Sequence, residues 1–353
     1  MKILYAPFVE YDRVRSEKGE THCGDYVTDC LYHGFKTLLG DDCVESEPID
    51  HMYRGYQYTH DYVHHGFSMF GRLDAPICDQ GEILRMVVNK EFDYIISPIH
   101  HTHRNDVSFV SQGLSTLKEI GYNADQIAVI CSDEGPDTNM FLAGDSRCTF
   151  FKVELTEGYK GARIYPISYS VPRDIFVDKV PEKDKDFATL IPSFLRQGHP
   201  HEQTYIYKDE ETYYQDYRRS RFGLTCKKGG WDCMRHYEII ACGCAPFFTD
   251  IEACPPQTLH NYPKELCSKI KQLVGVKPAL RHGNYIRETP YIGSCMDQLQ
   301  TYGHYIDHAV FSRSEYLDLT NQLLAYGKKN LTTVANATYI LDCLNGGVRK
   351  LEN

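Results

Sequence analysis

The chain has 353 residues, of which 42% are hydrophobic and 12% are aromatic. This composition indicates folded, globular structure, and the length suits two domains of ordinary size. The formal net charge of -10 argues against general binding to nucleic acid or to anionic membranes, because both require broad basic surfaces. No apolar run approaches the roughly 20 residues of a membrane-spanning helix, so no transmembrane segment is expected.

The amino-terminal residues and the cysteines both favour a reducing, cytoplasmic location. Residues 1–7 become charged too early for a secretory signal and are typical of a first strand. None of the 14 cysteines forms a Cys-x-x-Cys pair, and Cys242-Gly-Cys244 is too close to be half of an ordinary zinc site. Because most cysteines lie in apolar segments, reduced and mostly buried thiols are expected, without a structural metal.

The first half of the chain alternates strands with helices. Helical spacing of apolar residues occurs in residues 26–39, 83–90 and 111–121, and strands are predicted at residues 3–9, 94–97 and 127–131. This alternation predicts an α/β protein with a parallel, doubly wound sheet and ligands at the carboxyl ends of the strands. The stretch of residues 50–74 is rich in aromatic residues and has no clear period. Two roles stay open for its tyrosines: stacking on the sugar rings of an acceptor, or packing on one another.

A charged run at residues 178–186, with Pro181 inside it, marks the predicted domain boundary. Its tripeptide Asp184-Lys185-Asp186 precedes a predicted strand, residues 187–194, so a solvated linker is favoured over a metal-nucleotide site. The predicted domains are residues 1–180 and residues 181–325. Residues 326–353 are predicted to form a carboxy-terminal helix. One possibility for this helix is that it crosses back and packs on the first domain.

The second domain contains the most informative motif, a basic glycine loop between a strand at residues 222–225 and a helix at residues 231–242. The amino end of a helix binds phosphate, because its unpaired N–H groups and its dipole both point at the anion. Gly229 and Gly230 allow close approach, and Trp231 stands at the predicted helix start. Six cations are expected around one anion here: Arg218, Arg219, Arg221, Lys227, Lys228 and Arg235.

Two side chains of the predicted helix suit a nucleotide diphosphate. With the helix beginning at Trp231, Arg235 lies one turn in and can lean back towards a phosphate at the loop. Glu238 lies on nearly the same face, roughly 10 Å from the helix start, where it can accept hydrogen bonds from ribose hydroxyls. The alternative is an intrahelical ion pair between Arg235 and Glu238.

This motif resembles that of exostosin-like glycosyltransferases of the GT-B architecture, and it is similar to that of related enzymes of large algal (chlorella) viruses. The shared pattern is Phe-Gly-Leu, a basic glycine loop, and Arg-x-x-Glu-x-x-x-x-Gly-x-x-Pro. The matching residues are Phe222, Gly223, Leu224, Lys227, Gly229, Arg235, Glu238, Gly243 and Pro246. Trp231 departs from the family, whose loops usually carry smaller residues at this point.

The resemblance implies two Rossmann-like domains that face each other across a cleft, with carboxy-terminal helices. The nucleotide sugar, UDP- or GDP-linked, would lie mainly in the second domain, with Arg235 and the lysines on the diphosphate and Glu238 on the ribose. An oligosaccharide or glycoprotein acceptor would lie in the first domain, in viral capsid or cell-surface glycan assembly. Such enzymes generally use no bound metal, because fixed cations and a helix dipole stabilise the leaving diphosphate.

Candidates for the base that takes the acceptor proton follow strands of the first domain. Asp133 and Glu134 directly follow the strand at residues 127–131 and come first, and His22 and Asp25, in the loop after the first strand, come next. A third group comprises His100, His101 and His103.

Each candidate has an ordinary structural alternative. Asp25 is equally suited to capping a helix, and Asp133 to opening a turn with Gly135. The histidines suit acceptor binding or a solvent-facing position. Two other functions therefore stay open: a carbohydrate- or nucleotide-sugar-binding protein of the same fold without catalysis, and a nucleotide-sugar epimerase.

Overall fold

The computed structural model describes residues 1–7, 13–16, 19–22, 25–55, 69–74, 79–99, 106–133, 135, 147–156, 163–189, 207, 209–278 and 304–346. The chain divides into two compact units. The first comprises Met1–Pro172, Pro256–His260 and Thr332–Asn353, and the second comprises Arg173–Pro255 and Asn261–Leu331. Along the chain, the first boundary between the two units falls between Pro172 and Arg173. The last helix, Thr333–Leu344, belongs to the first unit.

The first unit is built on a six-stranded parallel sheet. Its strands are β1 (Ile3–Tyr5), β4 (Cys43–Glu45), β5 (Tyr94–Ile99), β6 (Ile127–Cys131), β7 (Thr149–Lys152) and β8 (Ile164–Pro166), in the spatial order β4-β1-β5-β6-β7-β8. A separate antiparallel hairpin joins β2 (Arg13–Ser16) to β3 (Gly19–His22). The parallel sheet with its helices confirms the predicted α/β class. The strand order reverses beside β1, which is where parallel sheets of this kind bind ligands.

The strands of this sheet are short and buried. All residues of β1 and β6 are buried, as expected where helices cover both faces of a parallel sheet. The first strand was predicted to extend to residue 9, but it ends at Tyr5. The amide of Ala6 still donates to the carbonyl of Ile96, whereas Pro7 has no amide hydrogen with which to continue the ladder.

The helices of the first unit are α1 (Tyr26–Leu39), α2 (Gln80–Val88), α3 (Asp106–Ile120) and α8 (Thr333–Leu344). Helix α1 packs closely against α8. A Cβ on Gly34 would lie 2.1 Å from the backbone oxygen of Thr333, so only glycine permits this approach. His33 Nδ1 adds a contact of 2.9 Å with the hydroxyl of Thr333.

The second unit contains a three-stranded parallel sheet of β9 (Lys185–Phe187), β10 (Ser220–Thr225) and β11 (Ala245–Phe248), in the order β11-β10-β9. An antiparallel pair, β12 (Val276–Pro278) and β13 (His304–Ile306), belongs to the same unit. The helices are α4 (Glu210–Arg219), α5 (Met234–Ala241), α6 (Lys264–Lys271) and α7 (Arg313–Asn330). The strand predicted at residues 187–194 begins earlier, at Lys185, where Lys185 pairs with Ser220 and Phe187 with Phe222. Residues 190–194 of that prediction lie outside the described residues.

Across the described part of the chain, no helix has both the length and the apolar character that crossing a membrane requires.

Candidate anion-binding site

The candidate site lies at the carboxyl edge of the second unit's sheet. Strand β10 ends at Thr225, and residues 226–233 connect it to the amino end of α5. The neighbouring strand β11 ends at Phe248 in parallel register with Thr225. Loops at this edge of a parallel sheet are the usual place for ligands, because the amino ends of the following helices meet there.

The loop is held to the sheet by backbone hydrogen bonds. The amide of Lys227 donates to both carboxylate oxygens of Asp250, at 3.2 and 3.3 Å, and the amide of Lys228 donates to the carbonyl of Gly230 at 2.9 Å. The amide of Thr249 donates to the carbonyl of Thr225. Gly229 is exposed at the tip, whereas Gly230 is buried. The basic glycine loop therefore has a defined shape before any ligand binds.

Trp231 anchors this loop in the interior. Only 7% of its surface is exposed, and its ring stacks on Phe248 with 6.4 Å between the ring centres. Lys227 Nζ lies 5.8 Å from the centre of the indole, a cation–π distance. The indole therefore packs into the interior beneath the loop and supports it.

Helix α5 begins at Met234, not at Trp231 as predicted. Cys233 is the N-cap and has extended backbone angles, φ −162° and ψ 153°. The carbonyl of Trp231 lies 2.9 Å from His236 Nε2, and the Asp232 carboxylate accepts the hydroxyl of Tyr237 at 3.0 Å. These side-chain contacts, together with the buried indole, hold residues 231–233 outside the helix.

The amino end of α5 has no capping side chain. At α1 and α4, Asp25 and Asp209 accept hydrogen bonds from first-turn amides, but Cys233 makes no such bond. The first turn of α5 also contains no acidic residue. First-turn N–H groups and the positive end of the dipole are therefore not neutralised by the helix's own side chains, which favours an external anion.

Arg235 is the second residue of α5 and is partly buried. Its Nε is inaccessible to solvent and has no hydrogen-bond partner. Burial lowers the pKa of the Arg235 guanidinium, but Cys233, Tyr217 and Tyr213 outweigh burial and raise it, so the group stays charged. A buried donor without a partner costs roughly 1–3 kcal/mol, so its presence beside an uncapped helix end is informative.

Glu238 faces α4 within the second unit. The side chain is 4% exposed, and its two oxygens accept the hydroxyls of Tyr213 at 2.7 Å and Tyr214 at 3.2 Å. A ribose contact would require at least one tyrosine to give way. The arrangement fits a buried carboxylate that joins α5 to α4.

Three of the six predicted cations lie elsewhere, which corrects the expected cluster. Arg218 pairs with Glu211, Arg219 with Asp184 and Arg221 with Asp186, at 2.8–2.9 Å. Arg221 is near the amino end of β10, about 13 Å from Thr225 at 3.3 Å per residue. Because strand and helix alternate in direction, the last turn of α4 and the first residues of β10 share that opposite edge. Lys227, Lys228 and Arg235 are the cations that remain at the loop.

The described base candidates of the first unit are engaged in local hydrogen bonds. Asp25 caps α1, accepting the amide of Val27 at 3.2 Å and the hydroxyl of Thr28 at 2.7 Å. Asp133 Oδ1 accepts a hydrogen bond from the amide of Gly135 at 3.0 Å. This bond forms the turn with Gly135 that the sequence offered as the structural alternative to a catalytic role. The backbone of His22 lies in β3, in a hairpin where a loop was expected. Glu134 and the group His100, His101 and His103 lie outside the described residues.

Sequence reasoning missed a buried polar network in the first unit. His51 Nε2 lies 2.7 Å from Asp29 Oδ2, and both side chains are almost fully buried. Nearby, Tyr53 donates to Glu45 and its hydroxyl lies 2.9 Å from that of Tyr32. Burial lowers the pKa of His51, but the Asp29 carboxylate more than compensates and leaves it above its usual value. A charged residue on the buried face of α1, Asp29, was the signal available in the sequence.

Among the residues that the structure describes, no group of three His, Cys, Asp or Glu side chains is arranged to hold a metal ion. Comparison with known protein families and with curated proteins gives no match.

Proposed function

We propose that the chain is a glycosyltransferase of the GT-B type that transfers a sugar from a UDP- or GDP-linked donor to a carbohydrate acceptor. The observation that carries the proposal is the amino end of α5, which has no capping side chain and carries Arg235 with an unpartnered Nε. A nucleotide diphosphate supplies the negative charge and the acceptor oxygens that this helix end can bind.

The same groups would promote bond cleavage. As the bond between the sugar and the diphosphate breaks, negative charge grows on the leaving phosphate, and groups that bind this charge more strongly than the ground state lower the barrier. The first-turn amides of α5, Arg235 and the two loop lysines supply this stabilisation. Among these groups, Lys227 is held at its amide by Asp250 and at its side chain by Trp231, so it needs little reorganisation.

In this proposal the acceptor is bound by the first unit, and its hydroxyl transfers a proton to a base at the carboxyl edge of the six-stranded sheet. Asp133 is our first candidate because it lies two residues beyond the end of β6 and is only partly buried. Lys152 Nζ donates to the Asp133 carbonyl at 3.1 Å, which fixes the backbone at that position.

A second candidate function is a nucleotide-sugar-binding protein without transfer activity. The observation in its favour is that the two base candidates with described side chains, Asp25 and Asp133, both accept backbone amides. A carboxylate oxygen engaged in this way already has a partner in the fold and is less available to an acceptor hydroxyl.

A ligand panel followed by product analysis tests the proposal and separates the two candidates. UDP, GDP, CDP and their sugars, each with and without EDTA, would be screened by thermal shift, where a ligand at 100 times its Kd stabilises by about 2.7 kcal/mol. We expect a UDP or GDP compound to raise Tm with EDTA present. If none does, the anion site is wrong.

NMR of the products with the active donor then distinguishes three outcomes. Sugar transfer or donor hydrolysis supports the transferase, and an unchanged donor supports the binding protein. An epimerised nucleotide sugar would contradict both. The Asp133→Asn variant is expected to keep donor binding and lose transfer; retained turnover would place the base elsewhere.

A further inference from the structure

The N-cap of α5 is a cysteine in contact with a histidine one turn further along the helix. Cys233 Sγ lies 3.4 Å from His236 Nε2. The imidazole is fixed on both sides, because Nδ1 lies 3.0 Å from the hydroxyl of Thr225 and Nε2 lies 2.9 Å from the carbonyl of Trp231. A nitrogen that faces a carbonyl carries a hydrogen, so the imidazole presents an N–H group beside the sulfur.

The surroundings of Cys233 favour the thiolate. Burial raises the pKa of this thiol, but His236, Arg235 and Lys228 outweigh burial and hold the pKa well below its usual value. The N-cap position adds the positive end of the α5 dipole, an established cause of low thiol pKa. Cys242 and Cys244, which lie between α5 and β11, behave in the opposite way to Cys233. Burial raises the pKa of both of these thiols.

Access also separates Cys233 from most of the other described thiols. Of the cysteines that the structure describes, Cys233 and Cys254 are partly exposed and the rest are buried. Cys254 lies in the same unit, where its Sγ donates to the carbonyl of Pro255 at 3.6 Å. Thiolate character together with access is what makes a cysteine reactive.

We infer that Cys233 is a modification site, a thiolate that hydroperoxides oxidise and whose oxidation blocks the anion site at the same helix end. In the reaction with a hydroperoxide, the thiolate sulfur attacks the nearer peroxide oxygen and forms an S–O bond. The O–O bond breaks, and the leaving oxygen departs as hydroxide or alkoxide. Sulfur is oxidised by two electrons to the sulfenic acid, which thiols reduce again.

The effect on the anion site rests on the proposed function. The added oxygen would occupy the space in front of the first-turn amides, where the diphosphate is proposed to lie. The thiolate and the diphosphate would also share Arg235 and Lys228 as partners. By linkage, a bound diphosphate should therefore disfavour the thiolate, and the thiolate should weaken diphosphate binding to the same extent.

The first experiment measures the rate of iodoacetamide labelling at each cysteine as a function of pH, by peptide mapping of the whole chain. The midpoint of the pH profile is the readout, because nucleophilicity falls as thiol pKa falls and partly cancels the gain in rate. We expect a Cys233 midpoint well below the roughly 8.5 of a free cysteine. A midpoint at or above that value overturns the inference.

Two histidine variants identify the cause of this shift. His236→Gln is expected to raise the Cys233 midpoint by about one pH unit or more, because the imidazole contact is lost. His308→Gln, which removes an exposed histidine that pairs with Asp186 in the same unit, should leave the midpoint unchanged. An equal effect of both variants would exclude the specific role of His236.

The second experiment joins oxidation to nucleotide binding. The affinity for UDP or GDP is measured before and after hydrogen peroxide, in the wild type and in Cys233→Ser, which keeps a side chain suited to the N-cap. We expect the affinity of the wild type to fall about tenfold or more and the ratio for the variant to stay near one. An equal loss in both proteins overturns the inference. If neither nucleotide binds untreated protein, the proposed function fails, and the labelling midpoint alone decides whether Cys233 is the modification site.

Discussion

Replacement of Arg235 by methionine tests the anion site most directly, because it is expected to change affinity and stability in opposite directions. The guanidinium keeps its charge but its buried Nε has no hydrogen-bond partner. Methionine retains an unbranched apolar stem of similar length and introduces no donor. The variant therefore removes the proposed phosphate contact while preserving most of the packing at the start of α5.

The magnitudes follow from these contacts. A hydrogen bond to a charged group contributes about 1.5–3 kcal/mol, so the Kd for UDP or GDP should rise by about 10- to 150-fold. A buried donor without a partner costs roughly 1–3 kcal/mol, and its removal offsets lost contacts of the stem. The free energy of unfolding should accordingly stay unchanged or increase. A stabilising change that removes ligand affinity is typical of functional positions.

Isothermal titration calorimetry with UDP and GDP and urea unfolding without ligand measure the two quantities. Arg219→Met is the matched control, because Arg219 is also an arginine of the second unit but pairs with Asp184 at the opposite edge of the sheet. The affinity of this control should be unchanged. Arg235→Lys should give an intermediate loss, since it keeps the charge without the planar fork.

Two results would refute this reasoning. If Arg235→Met binds the nucleotide with wild-type affinity, Arg235 does not contact the phosphate. If Arg235→Met and Arg219→Met weaken binding equally, the effect is one of overall charge and not of a site at α5.

Three further predictions concern packing and pH. Glu238→Gln should lower the free energy of unfolding by about 1–3 kcal/mol, because Tyr213 and Tyr214 lose a charged acceptor. If the variant instead loses more affinity for UDP than for inorganic pyrophosphate, Glu238 contacts the ribose. The pKa of His51 is raised above 6.5 in the folded protein. The pairing of His51 with Asp29 should therefore stabilise the fold fully below that pH. The stabilisation should be lost as the pH rises through the folded-state pKa of His51. Urea unfolding between about pH 5 and about pH 8 should show this decline. Burial also raises the pKa of Asp29, which adds a loss in the same direction, so the double variant His51→Gln/Asp29→Asn should flatten it. Gly34→Ala should lower Tm sharply through its clash with the Thr333 carbonyl. Gly81→Ala, whose Cβ would lie 3.3 Å from the carboxylate of Asp79, the N-cap of α2, should change Tm much less.

Local chemistry made several elements of the fold predictable. The apolar spacing at residues 26–39 located α1 correctly, and the Asp25 cap and the Gly40 C-cap explain both of its ends. The alternation of strands and helices correctly indicated a parallel sheet. The turn at Asp133 and Gly135 was also foreseen as an alternative, because it depends on residues two positions apart. In each case the decisive interactions lie within a few residues of one another.

The start of α5 could not be predicted in the same way. Apolar spacing is continuous from Trp231 onwards, so sequence alone favoured an earlier helix start. In the structure the indole packs on Phe248, and the Trp231 carbonyl faces His236. The first contact joins a residue of the connection after β10 to the last residue of β11, so it exists only after the sheet has formed.

The sequence by itself determined the α/β class, the glycine loop with its lysines, and the helix that follows it, because these depend on local propensity and on spacing along the chain. Only the tertiary structure decided which cations remain at the loop. Arg218, Arg219 and Arg221 are near it in sequence but pair with carboxylates at the other edge of the sheet, since a strand and a helix carry the chain across the unit. The same packing turned Glu238 towards two tyrosines and placed Cys233 beside His236 at the uncapped helix end.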